Sequence, residues 1–147
     1  PYAFAAHFAP DHLDAALALY RREFQPSPAL DQPHVMVAMG VLCAETDAEA
    51  ELLSSSQAQS FVRLRTGQPG KLPPPVPGYR DSLPPPAQAM PAHPGQASAI
   101  GAPATVREAV GRFLDRTGAD EIIVSGSTFD PAARIRSLEL TVEALAG

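Results

Sequence analysis

The sequence predicts an α/β fold with parallel strands: about three β/α units, ordered as the C-terminal part of a (β/α)8 TIM barrel would be. Three observations predict it. Three strand-length runs, Tyr2–Phe8, His34–Ala44 and Glu121–Ser125, are apolar almost throughout instead of alternating, as strands covered on both faces are. A helical pattern follows each run. Strands separated by helices form right-handed crossovers and a parallel sheet. A complete barrel needs roughly 250 residues and eight such units, and these 147 residues supply about three.

The first run is interrupted only by His7. From Asp11 the spacing changes, and Leu13, Ala16, Leu17, Tyr20 and Phe24 recur on one face of an amphipathic helix. Arg21 and Arg22 in its last turns suit the negative end of the helix dipole. The prolines of "QPSPALDQP" break it. After the second strand, "TDAE" (Thr46 to Glu49) is a capping box. Its helix runs through Leu52, Leu53 and Phe61 toward Leu64 and ends near Gly67. Residues 67–99 are then Pro-rich. Ten of the seventeen prolines fall between Pro69 and Pro94, which rules out a helix or a sheet interior there. We read this stretch as an insertion within one domain spanning 1–147. Beyond it, Pro103 suits the first position of a helix whose stripe is Val106, Val110, Phe113 and Leu114, with Gly118 as terminator. The third strand follows. Asp130 and Pro131 then open a last helix, with Leu138, Val142 and Leu145 as its apolar spacing.

Composition narrows the function. A net charge of -5 gives no general attraction to nucleic acid or to anionic membranes. No apolar run reaches the roughly 18 residues of a membrane span. The single Cys43 rules out an internal disulfide framework and fits a reducing, cytoplasmic setting. The histidines show no metal-ligand spacing with acidic or Cys partners, so no metal site is expected.

Three blocks resemble one family. "PYAFAAHFAPDHLDAALALYRREF" is similar to the sixth strand and helix of the bacterial luciferase-like flavin-dependent monooxygenases. "HVMVAMGVLCAETDAEAELL" is similar to their seventh strand and the start of its helix. "GAPATVREAVGRFLDRTGADEIIVSGSTFDPAARIRSLELTVEAL" is similar to their last helix, strand and helix. Ala102 stands where the family usually has Ser or Thr before the proline. The resemblance implies a (β/α)8 barrel with an excursion near the seventh strand. It implies an oxidoreductase that uses FMN, reduced by a separate reductase, and molecular oxygen on a small organic substrate. The flavin would lie at the C-terminal mouth of the barrel.

On this reading the chain is the C-terminal portion of such a monooxygenase, starting within the barrel and needing the missing N-terminal strands for activity. Two alternatives stay open: a non-catalytic half-barrel that self-associates, and an independent small α/β binding domain. Catalytic residues are not assigned. His7, at the end of the first strand, and Ser125 and Gly126, at the end of the last, are the candidate cofactor-binding residues, because strand C-termini face the active mouth of a barrel. Each also has a plainer explanation, as a locally satisfied strand end or an ordinary turn. Cys43 has no basic neighbour in sequence and reads as a buried small hydrophobe. The outer edges of the first and last strands would be left unpaired, so the isolated chain is expected to oligomerise or aggregate.

Overall fold

The computed structural model describes residues 1–7, 10–88 and 97–146. Phe8, the expected end of the first strand, lies outside them, as do positions 89–96 of the Pro-rich segment, His93 included. Among the described residues the elements run β1 (Tyr2–Phe4), α1 (Leu13–Glu23), β2 (Val35–Cys43), α2 (Asp47–Arg65), α3 (Pro85–Gln88), β3 (Ser98–Gly101), α4 (Pro103–Thr117), β4 (Glu121–Ser125) and α5 (Pro131–Ala146). The fold is α/β with one parallel sheet, as the sequence predicts; β3 is a strand that the sequence reading did not contain, and α3 is a single helical turn in the Pro-rich segment where no helix was expected.

Everything pairs with β2. Tyr2 to Phe4 register with Val35 to Val37, Ser98 to Gly101 with Gly40 to Cys43, and Glu121 to Ser125 with Met36 to Gly40, all in parallel. Backbone groups of alternate residues point to opposite edges of a strand. The carbonyls of His34 and Ala38 accept from Tyr2 and His7, and the amides of Gly40 and Ala44 donate to Ala97 and Gly101. These β2 residues are all even-numbered, so β1 and β3 share one edge of β2, end to end. The Val35 carbonyl accepts from Asp120, so β4 lies on the other edge.

Side chains alternate in the same way. Val35, Val37, Met39, Val41 and Cys43 are buried with Leu13 and Leu17 of α1, Val106, Val110 and Phe113 of α4, and Leu140 of α5. One helix layer therefore covers one face of the sheet. The opposite face is covered only at its C-terminal end, where Leu42 and Ala44 meet Ala50 and Leu53 of α2 beside Ile100. The expectation of strands buried on both faces thus holds for β2 alone. Ile123 of β4 is 42% exposed, because nothing among the described residues lies against that end of the second face.

Several local expectations are met with the named atoms. Thr46 Oγ1 accepts from the Glu49 amide, and Glu49 reaches back to the Glu45 amide. Gly118 takes a left-handed conformation at φ 56° and closes α4. Asp130 Oδ1 accepts from the Ala132 amide at the head of α5. Arg21 does not serve its own helix end. It donates to the carbonyls of Thr117 and Gly118 at 2.7 Å each, placing its charge on the negative end of α4 and tying two helices of the layer together. Two helix stripes differ from expectation. α5 buries Ser137, Leu140, Thr141 and Ala144 and exposes Leu138, Val142 and Leu145. α2 buries Ala50, Ser54, Ser55, Ser56 and Gln59 and exposes Leu64.

Candidate functional site

At the level of Gly40, in the C-terminal half of β2, the N-terminal end of β3 and the C-terminal end of β4 meet across the central strand. Ser98 and Ser125 both register with Gly40, from opposite edges. By alternation all three belong to the face without the helix layer. The result is a row, Ser98–Gly40–Ser125, of residues with almost no side-chain bulk. It is flanked one step toward the strand N-termini by Ala38 and Ile123, which are themselves in register.

The sequence named two of the surrounding positions. His7 is half-buried, and its amide donates to the Ala38 carbonyl at 3.2 Å. It thus stands level with the small-residue row, but in a turn beyond β1, which ends at Phe4, and not inside the strand as the sequence reading placed it. Ser125 lies on the other edge of β2, so the two backbones are about two strand spacings, roughly 10 Å, apart. The structure brings His7 and Ser125 to one end of the sheet with β2 between them. Gly126 plays a different part. A Cβ there would stand 2.6 Å from the Val41 carbonyl oxygen, so close packing of the chain against β2 is sufficient reason for a glycine.

Gly40 and Ser98 were missed. Gly40 carried a signal: a glycine inside a strand often marks close approach by a ligand or another backbone. Its own surroundings do not demand glycine, since a Cβ would meet nothing nearer than the Ala97 carbonyl oxygen at 3.8 Å. Ser98 had no signal, because its strand was not visible in the sequence.

Beyond this row lies the excursion that connects β2 to α4. Its Pro-rich part is strapped to α2: Ser55 Oγ accepts from the Val76 amide at 2.8 Å, and Gln59 Nε2 donates to the Pro74 carbonyl at 2.9 Å. Between strap and helix runs a cleft of about 770 Å³, lined among others by Asp47, Glu51, Ser54, Tyr79, Asp81 and Ile100. At its end Asp47 Oδ1 accepts from the Ala102 amide at 2.7 Å. That bond, with one from the Thr105 side chain, holds the Asp47 carboxyl below its ordinary value. It also gives the head of α4 the acceptor that Ala102 lacks. Cys43 is fully buried. Burial first, and the charge of Glu45 second, push its thiol up, so it offers no thiolate for chemistry. Among the described residues no group of His, Cys, Asp or Glu is placed to hold a metal ion. No helix among them is long and apolar enough to cross a membrane.

Comparison with known proteins agrees with this architecture. No protein-family model matches the chain. It is 42% identical over 143 residues to a luciferase-like monooxygenase of Escherichia coli K12, covering 97% of this chain and 43% of that protein. It is 38% identical, with the same coverage of both chains, to the uncharacterized protein YvbT of Bacillus subtilis. The crystal structure of apo-MsnO8 superposes with a TM-score of 0.86 at 31% identity, over 99% of this chain and 45% of that one. The chain therefore spans less than half the length of the relatives it matches. The resemblance read from the sequence holds: the chain is similar to a C-terminal part of proteins named luciferase-like monooxygenase.

Proposed function

We propose that this chain forms the C-terminal part of a luciferase-like monooxygenase and contributes one wall of its flavin site. The observation that carries the proposal is the Ser98–Gly40–Ser125 row, level with the C-terminal end of β4, in a chain 42% identical over 143 residues to part of such a protein. The residues fit the group in one respect. Small side chains across three adjacent strands leave room for a flat ring to approach the backbone, and apolar Ile123 and Ala38 adjoin them. Ser98 and Ser125 would offer hydroxyls, and His7 would border the site from the β1 edge. Gly126 would act indirectly, by letting β4 run close against β2.

Bound reduced FMN, supplied by a separate reductase, would bring the electrons with which molecular oxygen oxidises a small organic substrate. The protein's own share is placement and exclusion of water. A site with one wall does neither, so activity would need the N-terminal strands that the relatives possess. The lone, buried Cys43 suits a cytoplasmic setting. A second reading draws on the uncovered Ile123: a half-barrel that covers itself with another copy and turns nothing over.

Titration of the purified chain with FMN, oxidised and reduced, tests the first reading. Saturable quenching of flavin fluorescence that weakens on Ser125→Leu supports it. Saturable quenching indifferent to Ser125→Leu and Gly40→Leu moves the flavin off this face and refutes it.

A further inference from the structure

The cleft between α2 and the Pro-rich strap is a second concave site. Its lining shares no residue with the Ser98–Gly40–Ser125 row. Its volume of about 770 Å³ suits a small organic molecule. The walls are built into the fold. Ser55 and Gln59 hold the strap by hydrogen bonds, and Pro73 within the strap is buried. Part of the lining is apolar: Leu52, Val76 and Ile100. The polar part decides which ligand fits.

The hydroxyl protons of that lining are spent inside the protein. Ser54 donates to the Glu51 carbonyl at 2.8 Å, and Ser55 to the Leu52 carbonyl at 2.6 Å. The Thr105 side chain bonds the Asp47 carboxylate. Arg80 donates to the Gln88 carbonyl at 3.0 Å. Acceptors are left over. Glu51 and Asp81 are exposed carboxylates, and no ion pair among the described residues involves either. Ser54 is only 8% exposed, and its oxygen retains acceptor capacity. Three carboxylates against one guanidinium leave the lining net negative.

The heads of α2 and α4 also border the cleft, and free helix amides attract anions. Both heads are already served. Thr46 Oγ1 accepts from the Glu49 amide, and Asp47 Oδ1 accepts from the Ala102 amide. Gly101 makes room for that carboxylate, since a Cβ there would stand 2.5 Å from Asp47 Oδ1. The cleft therefore asks for a donor with positive charge, not for an anion.

We infer that this cleft is a binding site for a small organic cation, a primary ammonium carried on an apolar or aromatic body. The ammonium donates to Glu51, Asp81 and Ser54 Oγ, and the body lies against Leu52, Val76 and Ile100. Tyr79, half-buried in the lining, adds an aromatic surface suited to a cation. The inference goes beyond the flavin reading and does not rest on it.

The probe is phenethylamine, a cation at neutral pH, titrated into the full chain at low salt and followed by amide NMR. Its controls are neutral 2-phenylethanol and anionic 3-phenylpropanoate, which carry the same ring. The amine should bind saturably with a Kd of roughly 1 mM, about tenfold more tightly than the alcohol. The shifted amides should centre on residues 51–58 and 76–81. Glu51→Gln and Asp81→Asn should each weaken binding about threefold, with Tm unchanged because both side chains are exposed. Equal affinity for the three ligands overturns the inference. So does amine binding that both charge variants leave untouched, and so does a titration with no saturation by about 10 mM. None of these outcomes bears on FMN binding at the row.

Discussion

Gly126→Ala is the sharpest single probe of the sheet. Its Cβ would stand 2.6 Å from the carbonyl oxygen of Val41, about an ångström inside contact. The obstructing atom is backbone in the central strand, whose amides and carbonyls are held on both edges, so no side-chain rotation relieves it. Overpacking of this kind costs roughly 1–3 kcal/mol. At roughly 3 °C of Tm per kcal/mol for a chain of this length, Gly126→Ala should melt roughly 3–9 °C below the parent by far-UV circular dichroism. Gly111→Ala is the matched control. Gly111 lies inside α4 with nothing within 4 Å of where its Cβ would be. Alanine there improves helix propensity by about 0.5–1 kcal/mol, so Tm should rise. A Gly126→Ala protein that melts at or above the parent refutes the packing of β4 against β2 on which the site geometry depends.

Other consequences can be checked on the same protein. The Asp47 carboxyl is held below its ordinary 3.8 by the Ala102 amide and Thr105. A depressed carboxylate stabilises the fold above its unfolded value and loses that contribution as pH falls through its folded value. Asp47→Asn should therefore lower Tm at neutral pH, with the gap to the parent closing below about pH 3.8. Cys43, buried with its thiol pushed up, should react with a thiol reagent at pH 8 only as fast as the chain unfolds. Labelling at the rate of an exposed cysteine would show that the β2–α5 packing is wrong. Val110→Ala, in the centre of the helix layer, should cost roughly 1.5–3 kcal/mol by chemical denaturation. A loss below about 0.5 kcal/mol would contradict its burial.

What was legible in the sequence follows from where the free energy comes from. β2 showed because its burial is nearly complete, so no polar residue is tolerated along it. α4 showed because Pro103 and Gly118 punctuate both ends and its apolar stripe, Val106, Val110 and Phe113, is the face it buries. β3 did not show. Four residues, Ser98 to Gly101, carry no pattern of their own and are a strand only because the C-terminal half of β2 has an edge that β1 leaves free. The stripe of α5 was read correctly as apolar and assigned to the wrong side. Small Ser137, Thr141 and Ala144 let the helix approach β2 closely, and periodicity weights large residues over small ones. On α2 the serines are buried because a Pro-rich strap, unreadable as structure, hydrogen-bonds to Ser55 and is held again by Gln59.

The site divides along the same line, and one substitution separates its two kinds of glycine. Gly126 is required by the chain's own packing. Gly40 is not: its nearest neighbours would be 3.8 and 3.9 Å from a Cβ, ordinary contact distances. A strand glycine without such a cause weakens the sheet by roughly 0.5–1 kcal/mol relative to alanine. Gly40→Ala should therefore raise the Tm of the isolated chain. The added methyl points to the face opposite the α1–α4–α5 layer, into the row between Ser98 and Ser125. If a flat ring rests on that row, the same substitution should weaken FMN binding by tenfold or more. Higher stability with weaker binding would identify Gly40 as a residue whose smallness serves the ligand and not the fold. Higher stability with unchanged binding would move the flavin off this face. Lower stability would mean that β2 needs its glycine for the sheet itself, and the argument from open space at Gly40 would fail.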